Sequence, residues 1–292
     1  MQGPNACGRM ADSARQAAVY VSADIEGCAT LVHWDEVRPS NSAAYDRARR
    51  ILIAEVNAVL EGAFSAGVSS ACVNDAHSNM RNLVSPGLDP RARLVTGKAK
   101  PLYMLEGIDA QPHGLAFFLG YHGAIGDRDA VMGHTYSPRV IFECRLAGQV
   151  VGELTINAAL AGYYGVPVGL VSGDRTTLDE ARRNIPWAQM VETKRSLSYY
   201  AAECRSPYEV QEALRAASAA AVTRRDDAKL FKLTPPILLE IDTMKTSQAD
   251  ALTLVPGFSR CAARTVAFSS DDMLAVYRAL TTVIAVGVAA ES

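Results

Sequence analysis

The sequence reads as an α/β protein: a mostly parallel central sheet with flanking helices in a larger N-terminal lobe, and a smaller α/β lobe at the C-terminal end. Two observations predict this. Short apolar runs stop abruptly on polar or charged residues, as buried parallel strands do at their C-terminal ends. Between them lie helical stretches with one apolar stripe and one charged face. The length of 292 residues suits such a fold, and 49% hydrophobic with 21% charged residues is ordinary for a soluble enzyme.

The elements follow in order. Residues 1–16 are rich in Gly, Ala, Asn, Arg and Ser and lack the apolar centre of a signal peptide, so they read as a flexible extension. The catalytic lobe is expected over 17–186 and the smaller lobe over 187–292. Residues 19–23 form an apolar run ending at Asp24, a buried strand. A helix is predicted over 45–66, with Ala48, Leu52, Val56, Val59, Leu60 and Ala63 on one face and Gly67 as its stop. A strand over 69–73 follows, making a right-handed β-α-β unit. Further strands are expected over 93–95, 116–120, 140–146 and 166–172, with helices over 153–164 and 177–184. Residues 187–200 are mixed and polar. Beyond them come an Ala-rich helix over 208–223, strands over 237–241 and 265–268, and a closing helix over 270–288.

Composition excludes several classes of function. A net charge of −2 and the absence of a long basic run give nucleic-acid binding no electrostatic support. No apolar stretch reaches the ~18–20 residues of a membrane span. The six cysteines are scattered and form no CxxC pair, which argues against thiolate zinc and fits buried, reduced thiols in a cytoplasmic protein. Neither a GxSxG elbow, a GxxxxGK[ST] loop nor a GxGxxG fingerprint occurs.

Five short pieces carry the chemistry: Ser22 to Gly27, Asn74 to His77, Gly120 to His122, Gly133 to Thr135, and Val151 to Glu153. Each sets a carboxylate or an imidazole beside a glycine or at the end of an apolar run. The chain has only five histidines, and three of them, His77, His122 and His134, fall in these pieces. With Asp24, Glu26 and Glu153 they make the donor inventory for one zinc ion, or for two that share a bridging carboxylate. Taken singly, each has an ordinary structural explanation, such as a turn cap, a core histidine or a helix-dipole partner; their joint occurrence at strand and loop ends favours a metal site. His33 and His113 lack that setting.

These motifs resemble those of the DppA-type D-aminopeptidases, zinc peptidases associated with a dipeptide-transport operon. The matching pieces are SxDxEG at Ser22 to Gly27, NDxHxxMxN at Asn74 to Asn82, LGYH at Leu119 to His122, and GHT at Gly133 to Thr135. They continue with GELxxNAxxAGYYxVPV at Gly152 to Val168, Gly173-Asp174, Leu233 to Pro236, and Val255 to Gly257. The resemblance implies zinc ligands at Asp24, Glu26, His77, His122 and Glu153, and a catalytic histidine at His134. It implies hydrolysis of short peptides with a free N-terminal D-residue and assembly into ring-shaped homodecamers. Asp24 is then the best bridging carboxylate, and His134 acts as nucleophile or as general acid/base. Asp75, Thr135 and Asn157 are expected to touch substrate or to orient the ligands. Two other functions stay open on residues alone: a metal-dependent peptidase or amidase for β-peptides or other N-terminal amides, and a non-catalytic dipeptide-binding protein.

Overall fold

A computed structural model of the chain describes residues 18–110 and 112–290; the expected N-terminal extension lies outside the described residues. Seven strands form the main sheet in the order β3-β2-β1-β4-β7-β8-β9. They are β1 (Ala18–Ala23), β2 (Ser70–Asp75), β3 (Ala92–Val95), β4 (Leu115–Tyr121), β7 (Val168–Asp174), β8 (Gln189–Ser198) and β9 (Ala201–Cys204). All neighbours are parallel except β8 and β9. The mostly parallel α/β architecture expected from the sequence is what the chain adopts.

The centre of this sheet is buried on both faces, and alternate side chains feed separate cores. Val19, Val21 and Ala23 of β1 join Leu115, Phe117 and Leu119 of β4 on one face. There they meet the long helix α2 (Ser42–Ser65) and the later helix α5 (Pro207–Thr223). Tyr20 and Phe118 face the other way, toward α3 (Glu153–Tyr163) and α4 (Arg175–Asn184). Full burial of side chains such as Phe117 and Phe118 contributes about 1.5–3 kcal/mol each. Helix α2 stops where the sequence says it should. Gly67 takes φ +98°, and the Val68 amide donates back to the Ala63 carbonyl at 3.2 Å. The remaining short helix, α1 (Trp34–Val37), is a single turn capped by His33.

A second sheet, antiparallel, has the order β11-β12-β10-β5-β6. Its strands are β5 (Ile141–Leu146), β6 (Gln149–Val150), β10 (Ile237–Thr243), β11 (Ser259–Arg260) and β12 (Thr265–Ser270). Helices α6 (Thr246–Leu252) and α7 (Met273–Ala289) pack on it. The two sheets interleave along the chain: β5 and β6 come from before residue 186, whereas β8 and β9 come from after it. A boundary at 186/187 therefore falls inside the main sheet. Residues 187–200 lack a strand texture because β8 is largely open to solvent toward its end, and two of its three buried positions are the polar Thr193 and Lys194, beside Val191.

The strand order runs outward from β1 to β2 and β3 on one side, and from β4 to β7 and β8 on the other. The crevice beyond the C-terminal ends of β1 and β4 is thus the switch point where doubly wound sheets bind ligands.

One buried acid outside that crevice gives the fold a pH dependence. Glu55 of α2 is wholly buried and accepts from the Ala29 amide at 2.8 Å. Burial pushes its carboxyl up to about 7, against the pull of that amide. The folded chain therefore keeps a proton that the unfolded chain releases near its ordinary value of about 4.3. The resulting stability is full below that value and is lost as pH rises through about 7. Glu55→Gln should flatten the stability profile between about pH 5 and about pH 8, by an amount on the order of 3 kcal/mol. Denaturant melts across that range measure it; a profile as steep as that of the parent chain would disprove the assignment.

Candidate metal centre

Each ligand-type residue sits where a strand or helix end delivers it to the crevice. Asp24 and Glu26 follow β1, His77 follows β2, and His122 follows β4. Glu153 opens α3, and His134 comes from the loop between β4 and β5. All six are buried. The loop after β1 is pressed against the end of β4. The Asp24 and Gly27 amides donate to Leu119 and Gly120 carbonyls, each at 2.8 Å. No side chain fits at 27, since a Cβ there would lie 1.8 Å from the Tyr121 carbonyl oxygen. The helix-cap role open to Glu153 belongs instead to Glu180 of α4, which accepts from the Gly152 and Thr155 amides at 3.0 and 3.3 Å. Glu153 is thereby released to face the crevice, where it accepts from the Tyr136 amide at 2.6 Å.

Two groups of donors result, Asp24–Glu26–His77 and His122–His134–Glu153, each with its ligand atoms within 4.8 Å of one another. Asp24 stands between them. Its Oδ1 lies 3.3 Å from His77 Nδ1, and its Oδ2 lies 3.5 Å from His122 Nε2. Glu26 reaches His77 Nδ1 with Oε2 at 2.9 Å and His134 Nε2 with Oε1 at 4.0 Å. Glu153 Oε1 lies 3.5 Å from His122 Nε2 and 3.9 Å from His134 Nε2. The His122 and His134 rings stack with centroids 4.0 Å apart.

The outer ring nitrogens set the tautomers. His77 Nε2 meets the Val37 carbonyl at 2.8 Å, His122 Nδ1 the Gly123 carbonyl at 3.0 Å, and His134 Nδ1 the Met132 carbonyl at 3.0 Å. A carbonyl only accepts, so each outer nitrogen carries its proton. Each inner nitrogen of a neutral ring then points a lone pair at carboxylate oxygens. Such an arrangement repels itself unless cations lie between the donors. Two of the inward atoms, Glu26 Oε2 and His122 Nε2, are buried without a hydrogen-bond partner. Three carboxylates, three oriented imidazoles and these orphaned atoms fit one or two divalent ions with borderline ligands, zinc above all.

Without an ion, protons must take its place. Burial and the Glu26 carboxylate raise Asp24 to about 6, and burial raises Glu153 to about 8. Burial opposes charge on His122, but Glu153 and Asp24 prevail and hold it at about 9. Burial and the neighbouring His122 push His134 down to about 3.

The crevice opens into a cavity of about 320 Å³. Asp24, Glu26, His77, His134 and Glu153 line it, whereas His122 lies behind them. Trp34 meets the His134 ring edge-on at 5.1 Å. The sequence reading passed over Trp34, Arg38, Lys98, Tyr103, Tyr136 and Arg139, which also form the walls. Only Tyr136 directly follows one of the motifs, the GHT piece at Gly133 to Thr135. Its backbone is left-handed at φ +57°, as is that of Met132 at +52°, so strained backbone brackets His134.

Three of the expected site residues do not reach the cavity. Asp75 accepts from the Asn82 amide, the Asn82 side chain and the Leu83 amide at 2.5, 2.7 and 2.7 Å. These bonds hold the loop that carries His77, and Asp75 does not line the cavity. Thr135 is buried and accepts from the Ile125 amide at 3.3 Å. Asn157 lies behind Tyr136, taking its hydroxyl at 2.9 Å and donating to the Tyr121 hydroxyl at 3.0 Å. His33 caps α1, and His113 packs on Tyr20, both away from the centre.

Known proteins share this arrangement of chain and fold. Residues 18–282 match peptidase family M55, described as D-aminopeptidase. A D-aminopeptidase of Bacillus subtilis (strain 168) is 37% identical over 268 residues, covering 90% of this chain and 94% of that protein. A solved structure, the Zn-dependent D-aminopeptidase DppA from Bacillus subtilis, described as a self-compartmentalizing protease, superposes with a TM-score of 0.87. It is 33% identical and covers 93% of this chain and 98% of that one. On the extent of these matches, the chain belongs to the D-aminopeptidase family M55.

Proposed function

We propose that this protein is a zinc-dependent aminopeptidase that removes a D-residue from the free N-terminus of short peptides. The observation that carries the reading is the pair of donor groups joined by Asp24, one carboxylate oxygen toward each. Asp24, Glu26, His77, His122 and Glu153 would hold the zinc, with Asp24 standing between the two donor groups. Zinc held there supplies Lewis acidity toward the scissile carbonyl and a lowered pKa for water.

The chain supplies the rest. His134 borders the cavity and is the imidazole left outside the implied ligand set, and its Nδ1 proton is committed to Met132. Its Nε2 lone pair is left to take a proton or to attack the carbonyl carbon; both roles use the same atom. Trp34 fixes the ring from the side. Met104, Ile284 and Val288 form an apolar wall that limits water around the bound peptide. Arg38, Lys98 and Arg139 put positive charge on the cavity lining, where the C-terminal carboxylate of a short peptide finds a counter-charge. The intact donor set and His134 argue against a protein that only binds dipeptides.

We also infer assembly into a homo-oligomer, a decamer in the reading taken from the family resemblance. Leu197, Tyr208 and Leu254 are 68%, 72% and 85% exposed, apolar surface that a partner copy would cover. The five described cysteines are unpaired, which fits a reducing compartment, and we place the protein in the cytoplasm. Among the described residues, no helix is long and apolar enough to cross a membrane.

His134→Ala should keep zinc and fold while losing turnover by ~10²–10⁴-fold, whereas His77→Ala should lose zinc and activity together. Elemental analysis beside steady-state kinetics separates the two; turnover above about a tenth of the parent value in His134→Ala would sink its role. With equal zinc loading, D-Ala-D-Ala should show a kcat/KM at least ~10-fold above that of L-Ala-L-Ala, because the wrong hand drives its side chain into the wall. Equal values would point instead to a less selective amidase. Light scattering at micromolar protein should report several copies of the 31.2 kDa chain, ten in the decamer reading; the mass of a single chain would refute assembly.

A further inference from the structure

The loop that carries Asp24 and Glu26 has no regular structure over residues 24–31, yet it is wholly buried as far as Ala29. Buried backbone carbonyls need donors. Here the donors are two adjacent side chains of β8, far away in the sequence. Lys194, 1% exposed, donates its ammonium to the Glu26 carbonyl at 2.5 Å, the Cys28 carbonyl at 2.8 Å, and the Leu31 carbonyl. Thr193 donates its hydroxyl to the Gly27 carbonyl at 2.5 Å. On the amide side, Glu55 of α2 accepts from Ala29.

Three carbonyl acceptors on one nitrogen use all three protons of an ammonium. The carbonyls of residues 26, 27, 28 and 31 thus converge on two neighbouring side chains, and no backbone amide of the described residues donates to them. From the opposite side the loop is held by β4 through the Asp24 and Gly27 amides. The peptide plane that follows Glu26 is held at both edges, its carbonyl by Lys194 and its Gly27 amide by Gly120, and with it the direction in which the Glu26 carboxylate enters the donor group.

We propose that Lys194, assisted by Thr193, is a positioning residue for the metal centre: a buried ammonium that gathers the carbonyls of the loop over residues 26–31 and so presets Asp24 and Glu26 for zinc. This rests on the zinc reading above. Lys194 touches no substrate; it acts through the backbone of the loop. Residues that orient ligands from behind typically change metal affinity 10–100-fold when removed.

The test is zinc affinity by chelator competition on purified full-length protein, with thermal melts of the metal-free form alongside. Lys194→Met keeps the length of the side chain and removes its donors. It should weaken zinc binding by about 10–100-fold. Leu252→Ala, a truncation on α6 in the other core, serves as control: it should lower the melting temperature and leave zinc affinity unchanged. Thr193→Val removes a single hydroxyl and should weaken zinc several-fold; it decides the matter if Lys194→Met does not fold. Affinity within about twofold of the parent in the folded Lys194→Met, or in Thr193→Val should that variant have to decide, overturns the proposal, and a melting temperature lowered with no change in affinity assigns Lys194 to stability alone. A parent chain that binds no zinc brings down the metal reading and this one together, whereas zinc bound equally by parent and variant brings down only this one.

Discussion

Mutual repulsion at the centre of the molecule sets the terms for its surroundings. Asp24, Glu26 and Glu153 share a buried space with three imidazoles whose lone pairs point inward. Such a cluster relaxes by taking up cations or protons, or by moving apart. The fold removes the last option. Five of the six donors stand at or just beyond the end of a strand or helix whose body is locked in a close-packed core, the sixth, His134, sits on the loop between β4 and β5, and each imidazole is tethered through its outer nitrogen. What remains is a demand for positive charge, met at the switch point of a parallel sheet, where the topology leaves a crevice anyway.

The surroundings divide the work between apolar and polar contacts. Apolar strands β1 and β4 bring the two halves of the donor set together. Polar side chains then handle the backbone that leaves them: Lys194 and Thr193 hold the loop after β1, Asp75 and Asn82 the loop after β2, and Glu180 the start of α3. Behind Tyr136 a chain of hydroxyls runs through Asn157 to Tyr121, Tyr277 and Ser22, tying the cavity wall to α7 and to β1. Buried and fully partnered, such a network specifies one arrangement of the wall rather than a family of them.

How much of this was legible in the sequence follows from the range of the interactions. A strand end that carries a charge is a local signal, so the six residues of the donor groups could be picked out from short motifs. Which oxygen faces which imidazole is a matter of tertiary geometry and could not be read. Asp75 illustrates the limit. Adjacency to His77 suggested a shared task, but three amide donors in the following loop claim its oxygens. Asn157 was placed on the inner side of its helix, one turn after Glu153; its partners arrive from β4, from the loop after His134 and from α7, and no local pattern announces them. Strand β8 went unread for a related reason. Only one of its three buried residues, Val191, is apolar; the others are a threonine and a lysine, which look like surface until the carbonyls that they serve are known.

The separation between that lysine and its loop has a consequence for how the protein is made. Glu26 and Lys194 stand 168 residues apart. At the usual 5–20 residues per second of synthesis, the loop leaves the ribosome roughly 8–34 s before the strand that anchors it. During that interval the first two carboxylates exist without the framework that aims them, and α7, which completes the cavity wall, is later still. Ion selection in the growing cell therefore belongs to the chain once β8 has docked, and not to the nascent segment that bears the first ligands.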